Sequence, residues 1–286
     1  APGGAGLPCA DGFVSSAGMR SPGVLGAILL VLTLAACAEQ RPGPPPACEP
    51  DKQYRDPATA LPGGDYANNI ATLLYGEWDR FGRQTWRYAA GDAKGRALRS
   101  GLLETERPEW VQAYWRSVGW SMPVERIAVQ PWSAVFVSWV MIQAGVPTAA
   151  FCGHPAHAAY LETIWKRQRR DEAAPFALRH YLEAMPQPGD LVCAARRPSD
   201  RAPVSEISVG NFRRPDGNFL ASHCDVVVRV DPARGLLEAI GGNVADSVTM
   251  SVFDIDASGR LVAPADRDGA RPWFAVVENR YARQRR

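Results

Sequence analysis

The chain has 286 residues, with 32 Lys and Arg against 30 Asp and Glu and a formal net charge of +2. That balance gives no reason to expect nucleic-acid binding, and 46% hydrophobic with 22% charged residues is ordinary for a globular domain. No internal repeat is present.

Residues 1–18 begin without Met and read as an upstream extension. Met19-Arg20 supplies a start and a positive charge, Val24–Leu34 is an uncharged apolar run, and Leu34-Ala35-Ala36-Cys37 follows. A basic start, a short apolar core and a small-residue cleavage site predict a secretory signal over 19–36. The run is shorter than the roughly 20 apolar residues a membrane span needs. The ending resembles a lipobox, with Cys37 in the lipid-receiving position. This predicts a bacterial exported lipoprotein, held through a lipid on Cys37 to a membrane and facing the periplasm. The alternative is an ordinary signal with a chance cysteine. Proline at 42, 44, 45, 46 and 50 predicts an extended tether over 37–57. Cys48, Cys152, Cys193 and Cys224 remain after the anchor. In an oxidising compartment an even set can pair, the alternative being buried free thiols, and their spacing fits no zinc pattern.

Residues 58–120 read as an N-terminal helical arm. Tyr66–Arg80 places Ile70, Leu73, Leu74 and Trp78 at helical spacing, and Glu109–Val118 does the same with Trp110, Val111, Tyr114 and Trp115. The tryptophans crowding this arm are expected to pack it on the core. The domain proper spans 121–286. Pro131–Ala144 is the clearest helix: proline opens it, its interior is nearly all apolar, and Gly145 and Pro147 close it. Such a helix should be buried on most sides. His157–Arg170 reads as a helix with a basic end, and Pro175–Ala184 as another. The texture then changes to strands at Leu191–Ala194, Ser222–Val230, Leu236–Ile240, Ser247–Phe253 and Trp273–Glu278, with a long polar loop from Arg196 to Leu220. Helices first and short strands after predict an α+β fold, helices packed on an antiparallel sheet.

Three segments stand out together: Pro131-Trp132-Ser133-Ala134-Val135-Phe136-Val137-Ser138-Trp139; Pro188-Gly189-Asp190-Leu191-Val192 with His223 on a later strand; and Ile240-Gly241-Gly242-Asn243-Val244. Their order resembles the papain-like cell-wall hydrolases of the NlpC and CHAP type, over roughly residues 120–280. More closely, Trp-Ser-Ala, His-Cys-Asp and Gly-Gly-Asn look like the domain of unknown function family 2272. The resemblance implies a papain-like fold with the nucleophile at a helix N-terminus, a histidine base on the sheet and a polar residue orienting it. Carried over, Ser133 takes the nucleophile position, His223 the base and Asn243 the orienter. In the resembled fold the strands of Cys193 and Cys224 are neighbours, which implies a bridge between them. Cys48 with Cys152 would be the other pair, without a sequence argument of its own.

The departure from the NlpC and CHAP pattern is Ser133, where those hydrolases carry cysteine. A helix dipole favours a thiolate but cannot ionise a hydroxyl, so Ser133 needs full general-base help and an oxyanion site. Otherwise it is only an N-cap. Gln130 is close enough in sequence to be that donor. Trp132, His157 and Asp190 are read as cleft or support residues, with Asp190 shaping the Pro-Gly turn. His154 and His157 have Pro155 between them and no acidic partner, so no metal site and no cofactor are expected. Cys224 should face away from whatever His223 faces, since side chains alternate along a strand.

The expected activity is cleavage of amide or ester bonds, in peptidoglycan peptides. The alternatives are an inactive member of the fold binding cell-wall peptide or an envelope protein, and a structural lipoprotein with a vestigial cleft. A Ser133–His223 hydrogen bond would favour the first, an open cleft with that pair apart the second, and a cleft filled by the N-terminal arm the third.

Overall fold

The computed structural model describes residues 46–90, 95–197, 203–262 and 271–283. Cys37, the expected signal, the extension before it and the tether through residue 45 lie outside the described residues.

The helix that organises the domain is α4, Ser133–Gln143, and all of its residues are buried. Its sequence contains no charge and apolar groups surround its axis, so no face favours water. Gly145 ends it at φ +81°, a backbone conformation that costs glycine little. Two amphipathic helices pack on α4. In α1, Tyr66–Arg80, the Asp65 side chain caps the N-terminus by accepting from the Asn68 backbone N–H, and Ile70, Leu73 and Leu74 are buried. In α2, Pro108–Ser117, the buried residues include Val111, Tyr114 and Trp115. A short α3, Val124–Ile127, leads into α4, and α5, His157–Gln168, follows it.

Among the described residues eight strands form one sheet in the order β2-β1-β7-β6-β5-β4-β8-β3. They are β1 Thr85–Tyr88, β2 Arg96–Arg99, β3 Phe176–His180, β4 Leu191–Ala195, β5 Ser222–Asp231, β6 Leu236–Val244, β7 Ser247–Asp254 and β8 Trp273–Asn279. The chain closes with α6, Arg280–Arg283. The architecture is α+β, and every strand pair is antiparallel except β1 with β7.

Alternation along the strands divides the core. Leu191, Cys193, Cys224, Val226 and Ile240 join the cluster that contains α4. Val192, Val227, Leu237, Ala239 and Val276 form a second cluster on the other face. Cys193 and Cys224 face each other in the β4–β5 ladder and are bonded, as are Cys48 and Cys152.

Two expectations are corrected. The arm over 58–120 is not wholly helical, because its middle supplies β1 and β2 to the sheet. Thr85–Tyr88 docks beside β7 from Met250 to Phe253, so β7 is not left as an edge. Pro175–Ala184 forms β3 rather than a helix, with Phe176, Ala177 and Leu178 buried against β8. A short apolar run does not by itself distinguish strand from helix, and the free edge of β8 decides it.

Candidate active site

Ser133 is the first residue of α4, and no side chain caps that N-terminus. The leading backbone N–H groups of a helix have no intrahelical partner, so Ser133 is set among free donors. His157 is the first residue of α5. The intervening loop is pinned to α4: Ser138 Oγ accepts from the His154 backbone N–H at 3.0 Å and donates to the Ala134 carbonyl at 2.8 Å. Gly153 lies so close to Ser138 that a side chain would not fit. The Cys48–Cys152 bond holds the same loop. The result is a Ser133 Oγ–His157 Nε2 separation of 2.5 Å, with both residues buried.

The other ring nitrogen of His157, Nδ1, is hydrogen-bonded to the Tyr160 hydroxyl one helical turn on. Burial drives the His157 pKa well below its ordinary value, and the neighbouring His223 adds to the effect. The imidazole is therefore neutral near pH 7, the state in which it can accept a proton. Burial likewise keeps the Tyr160 phenol protonated.

His223 does not hydrogen-bond Ser133, so the expected nucleophile–base pair is not the one formed. The alternation that puts Cys224 and Val226 beneath α4 assigns His223 and Asp225 to the face of Val227. There His223 Nε2 lies 2.7 Å from Asp225 Oδ1, and the second Asp225 oxygen is paired with Arg271. Burial would raise the Asp225 carboxyl, but Arg271 and His223 hold it down at about 2. Burial outweighs Asp225 at His223 itself, whose pKa is lowered. The two histidine rings meet edge to face, with centroids 5.6 Å apart.

Asn243 does not orient His223; Asp225 does. Asn243 sits at φ 56° and donates Nδ2–H to Glu104 Oε2 at 3.1 Å. The buried Glu104 also accepts from the Trp132 indole N–H. Trp132 and Asn243 thus share one carboxylate and support the start of α4. The two glycines before Asn243 are there for space. A Cβ on Gly241 would strike the Asp225 carboxylate, and one on Gly242 would strike Trp132 and Phe136.

Ser133 and His157 open on a cleft of about 310 Å³, walled also by Gln130, Arg196 and Phe219. No described residue of 58–120 lines it, so the described part of the N-terminal arm does not fill it. Asp190 lies elsewhere, in the turn before β4. It accepts from the Gln187 and Asn279 backbone N–H groups, each at 2.8 Å, and pairs with Arg283. Burial nevertheless raises its pKa. Among the described residues no group of three or more His, Cys, Asp or Glu side chains is placed to hold a metal ion.

A family model described as "Uncharacterized protein conserved in bacteria (DUF2272)" matches residues 103–279. The chain belongs to the DUF2272 family. No curated protein and no solved structure matches the chain. The DUF2272 region contains Glu104, Ser133, His157, Tyr160, Arg196, His223, Asp225 and Arg271. It leaves α1, β1 and β2 outside, although these are packed into the same unit.

Sequence reasoning missed five of these DUF2272 residues as site components: Glu104, Tyr160, Asp225, Arg271 and Arg196, the last read only as the start of a polar loop. Tyr160 was accessible, three residues after His157 on one helix face. Asp225 was visible two residues after His223, on the same strand face. Arg271 and Glu104 carry no local signal, since each reaches the site from a distant segment.

Proposed function

We propose that this DUF2272 protein is a serine-dependent acyl hydrolase of the bacterial cell envelope, cleaving amide or ester bonds in peptidoglycan peptides. In this reading the domain is a papain-like, NlpC/CHAP-type domain with Ser133 in the place of cysteine. One observation carries it: the buried Ser133–His157 pair at the N-terminus of α4, open to a cleft.

The chemistry follows from the geometry. A serine hydroxyl is too weak an acid for a helix dipole to ionise, so its proton must go to a base as it attacks. His157 Nε2 accepts that proton while Oγ adds to the substrate carbonyl carbon. Nδ1–H then donates to Tyr160 Oη, and the charge of Asp225 favours the imidazolium. The carbonyl oxygen turns negative beside the helix start, where Ser133 and Ala134 line the cleft and their N–H groups are free, with Gln130 at the cleft wall as a further donor. Collapse expels the amine or alcohol with the proton from His157 and leaves an acyl-serine. Water, deprotonated by the same nitrogen, releases the acid and restores Ser133.

Export is supported by the Met19–Cys37 segment and by two disulfides within one chain, which belong to an oxidising compartment. A lipid on Cys37 would hold the domain at the membrane, facing the periplasm.

A second reading has its own observation. Tyr160 Oη has His157 Nδ1 as its hydrogen-bond partner among the described residues. If the phenol donates, neutral His157 carries its proton on Nε2 and donates to Ser133. The cleft then binds cell-wall peptide or an envelope protein without cleaving it.

The deciding experiment incubates the purified full chain with peptidoglycan and released muropeptides, and follows products by mass spectrometry. Ser133→Ala and His157→Ala are run beside it. Cleavage lost in both variants is the expected result, and folded wild type that cleaves nothing while binding the muropeptides would replace hydrolysis with the binding reading.

A further inference from the structure

We infer that Arg196 is an anion-recognising residue of the Ser133 cleft, and that the ligand it selects is an acyl compound bearing a carboxylate. The inference rests on the cleft being a substrate site, as proposed above.

Arg196 follows the last residue of β4, and its backbone is held on both sides. Its N–H donates to the Ala221 carbonyl and its carbonyl accepts from Ser205, both at 3.1 Å. Its side chain is partly buried and shares the cleft with Ser133 and His157. Three other partly buried arginines of the domain face carboxylates: Arg271 meets Asp225, Arg283 meets Asp190 and Arg213 meets Glu162. The Arg196 guanidinium has no carboxylate within ion-pair distance among the described residues. Withdrawing an unpaired cation from water is costly unless something else compensates it.

The surroundings add positive potential. The free N–H groups at the start of α4 open on the same cleft. Arg271 repels Arg196, and burial with that repulsion lowers the Arg196 pKa; Asp246 is the carboxylate whose charge opposes them. A guanidinium and a helix N-terminus converging beside a nucleophile suit a ligand with two oxygen-rich ends. The carbonyl under attack would lie at the helix, and a carboxylate would take the bidentate fork of Arg196. Phe219 and Leu220 wall both this cleft and a second hollow, so a ligand longer than one residue has room to extend.

The test is a binding titration of the purified full chain, followed by NMR. The probes are N-acetyl-Ala-Ala with a free carboxylate, its carboxamide, and inorganic phosphate. Wild type, Ser133→Ala, Arg196→Lys and Arg196→Gln are compared, each first shown to keep a cooperative thermal transition. The expected result is a preference of about tenfold or more for the free acid over the amide in wild type and in Ser133→Ala. Arg196→Gln should bring the two probes within about twofold, and Arg196→Lys should fall between, because an ammonium keeps the charge but not the fork. Equal binding of acid and amide, no saturable binding of the acid, or a preference that survives Arg196→Gln would overturn the inference. Phosphate binding as tightly as the acid would overturn the carboxylate assignment. A preference that holds in a protein unable to cleave muropeptides would remove the hydrolase reading and leave this one standing.

Discussion

His157 Nε2 stands 2.5 Å from Ser133 Oγ, and the two residues are the first of their respective helices. The pair is held by local structure: the Gly153 contact with α4, the Ser138 hydrogen bonds and the Cys48–Cys152 bridge. His223 lies behind it, bound to Asp225. The two histidines should therefore differ in kinetics. His157→Ala should lower kcat/KM on a cleaved substrate by about a hundredfold to ten-thousandfold, the range for losing a general base. His223→Ala should cost at least tenfold less than that. Equal losses in two folded variants would return the base role to His223.

Asp225 and Arg271 should reveal themselves in stability. Asp225 is fully buried and Arg271 partly buried against it, and Arg271 also lies over the Tyr88 and Phe253 rings. Removing one partner leaves an uncompensated charge, so Asp225→Asn should destabilise by about 3–5 kcal/mol. The double variant Asp225→Asn with Arg271→Met should recover part of that loss. Denaturant unfolding with the disulfides intact measures both, and strictly additive losses would show that the pair is not coupled.

The histidines set a pH dependence. Burial lowers the pKa of His154, His157 and His223 below the ordinary 6.5. As pH falls through about 6.5 the unfolded chain takes up protons that the folded chain refuses. Stability is therefore greatest above that pH and declines below it, until the depressed folded values are reached. Asp225 adds a second loss at lower pH, between its ordinary 3.8 and about 2. Unfolding free energies at neutral and mildly acidic pH should fall on acidification, and less steeply in His157→Gln. A stability that is flat or rising over that interval would contradict the buried, neutral histidines.

Asn243 should matter to folding more than to chemistry. Its amide donates to Glu104, which also anchors Trp132, and its backbone occupies a left-handed conformation that asparagine tolerates better than most residues. Asn243→Ala should lower stability by about 1–3 kcal/mol, the cost of leaving a buried acceptor short of a partner. Turnover per folded molecule should change little. A hundredfold fall in kcat at unchanged stability would instead support the orienting role that the family resemblance implied.

Much of the fold was legible in the sequence because burial leaves a periodic trace. The uncharged run after Pro131 specified a helix with no solvent face. The Ile70, Leu73, Leu74 spacing specified one with a single apolar face. Strand alternation placed Cys224 and His223 on opposite sides of the sheet. The same patterns could not distinguish β3 from a helix, since Phe176–His180 is too short for its period to decide. Nor could they show that Thr85–Tyr88 would run parallel to β7, because a strand's partner is not encoded in its own residues.

For the site, the inventory is readable from the residues alone: a serine at the head of a buried helix, histidines at 154, 157 and 223, and the Gly-Gly-Asn segment. Which of them meet is set by packing. His157 is 24 residues from Ser133 and reaches it because the loop between α4 and α5 folds back on Ser138. His223 reaches Asp225 through the two-residue repeat of a strand, then Arg271 from 46 residues further along the chain. Glu104 crosses 139 residues to Asn243. Local sequence sets a side chain's face and exposure; its partner is set by which segments the shared core brings together.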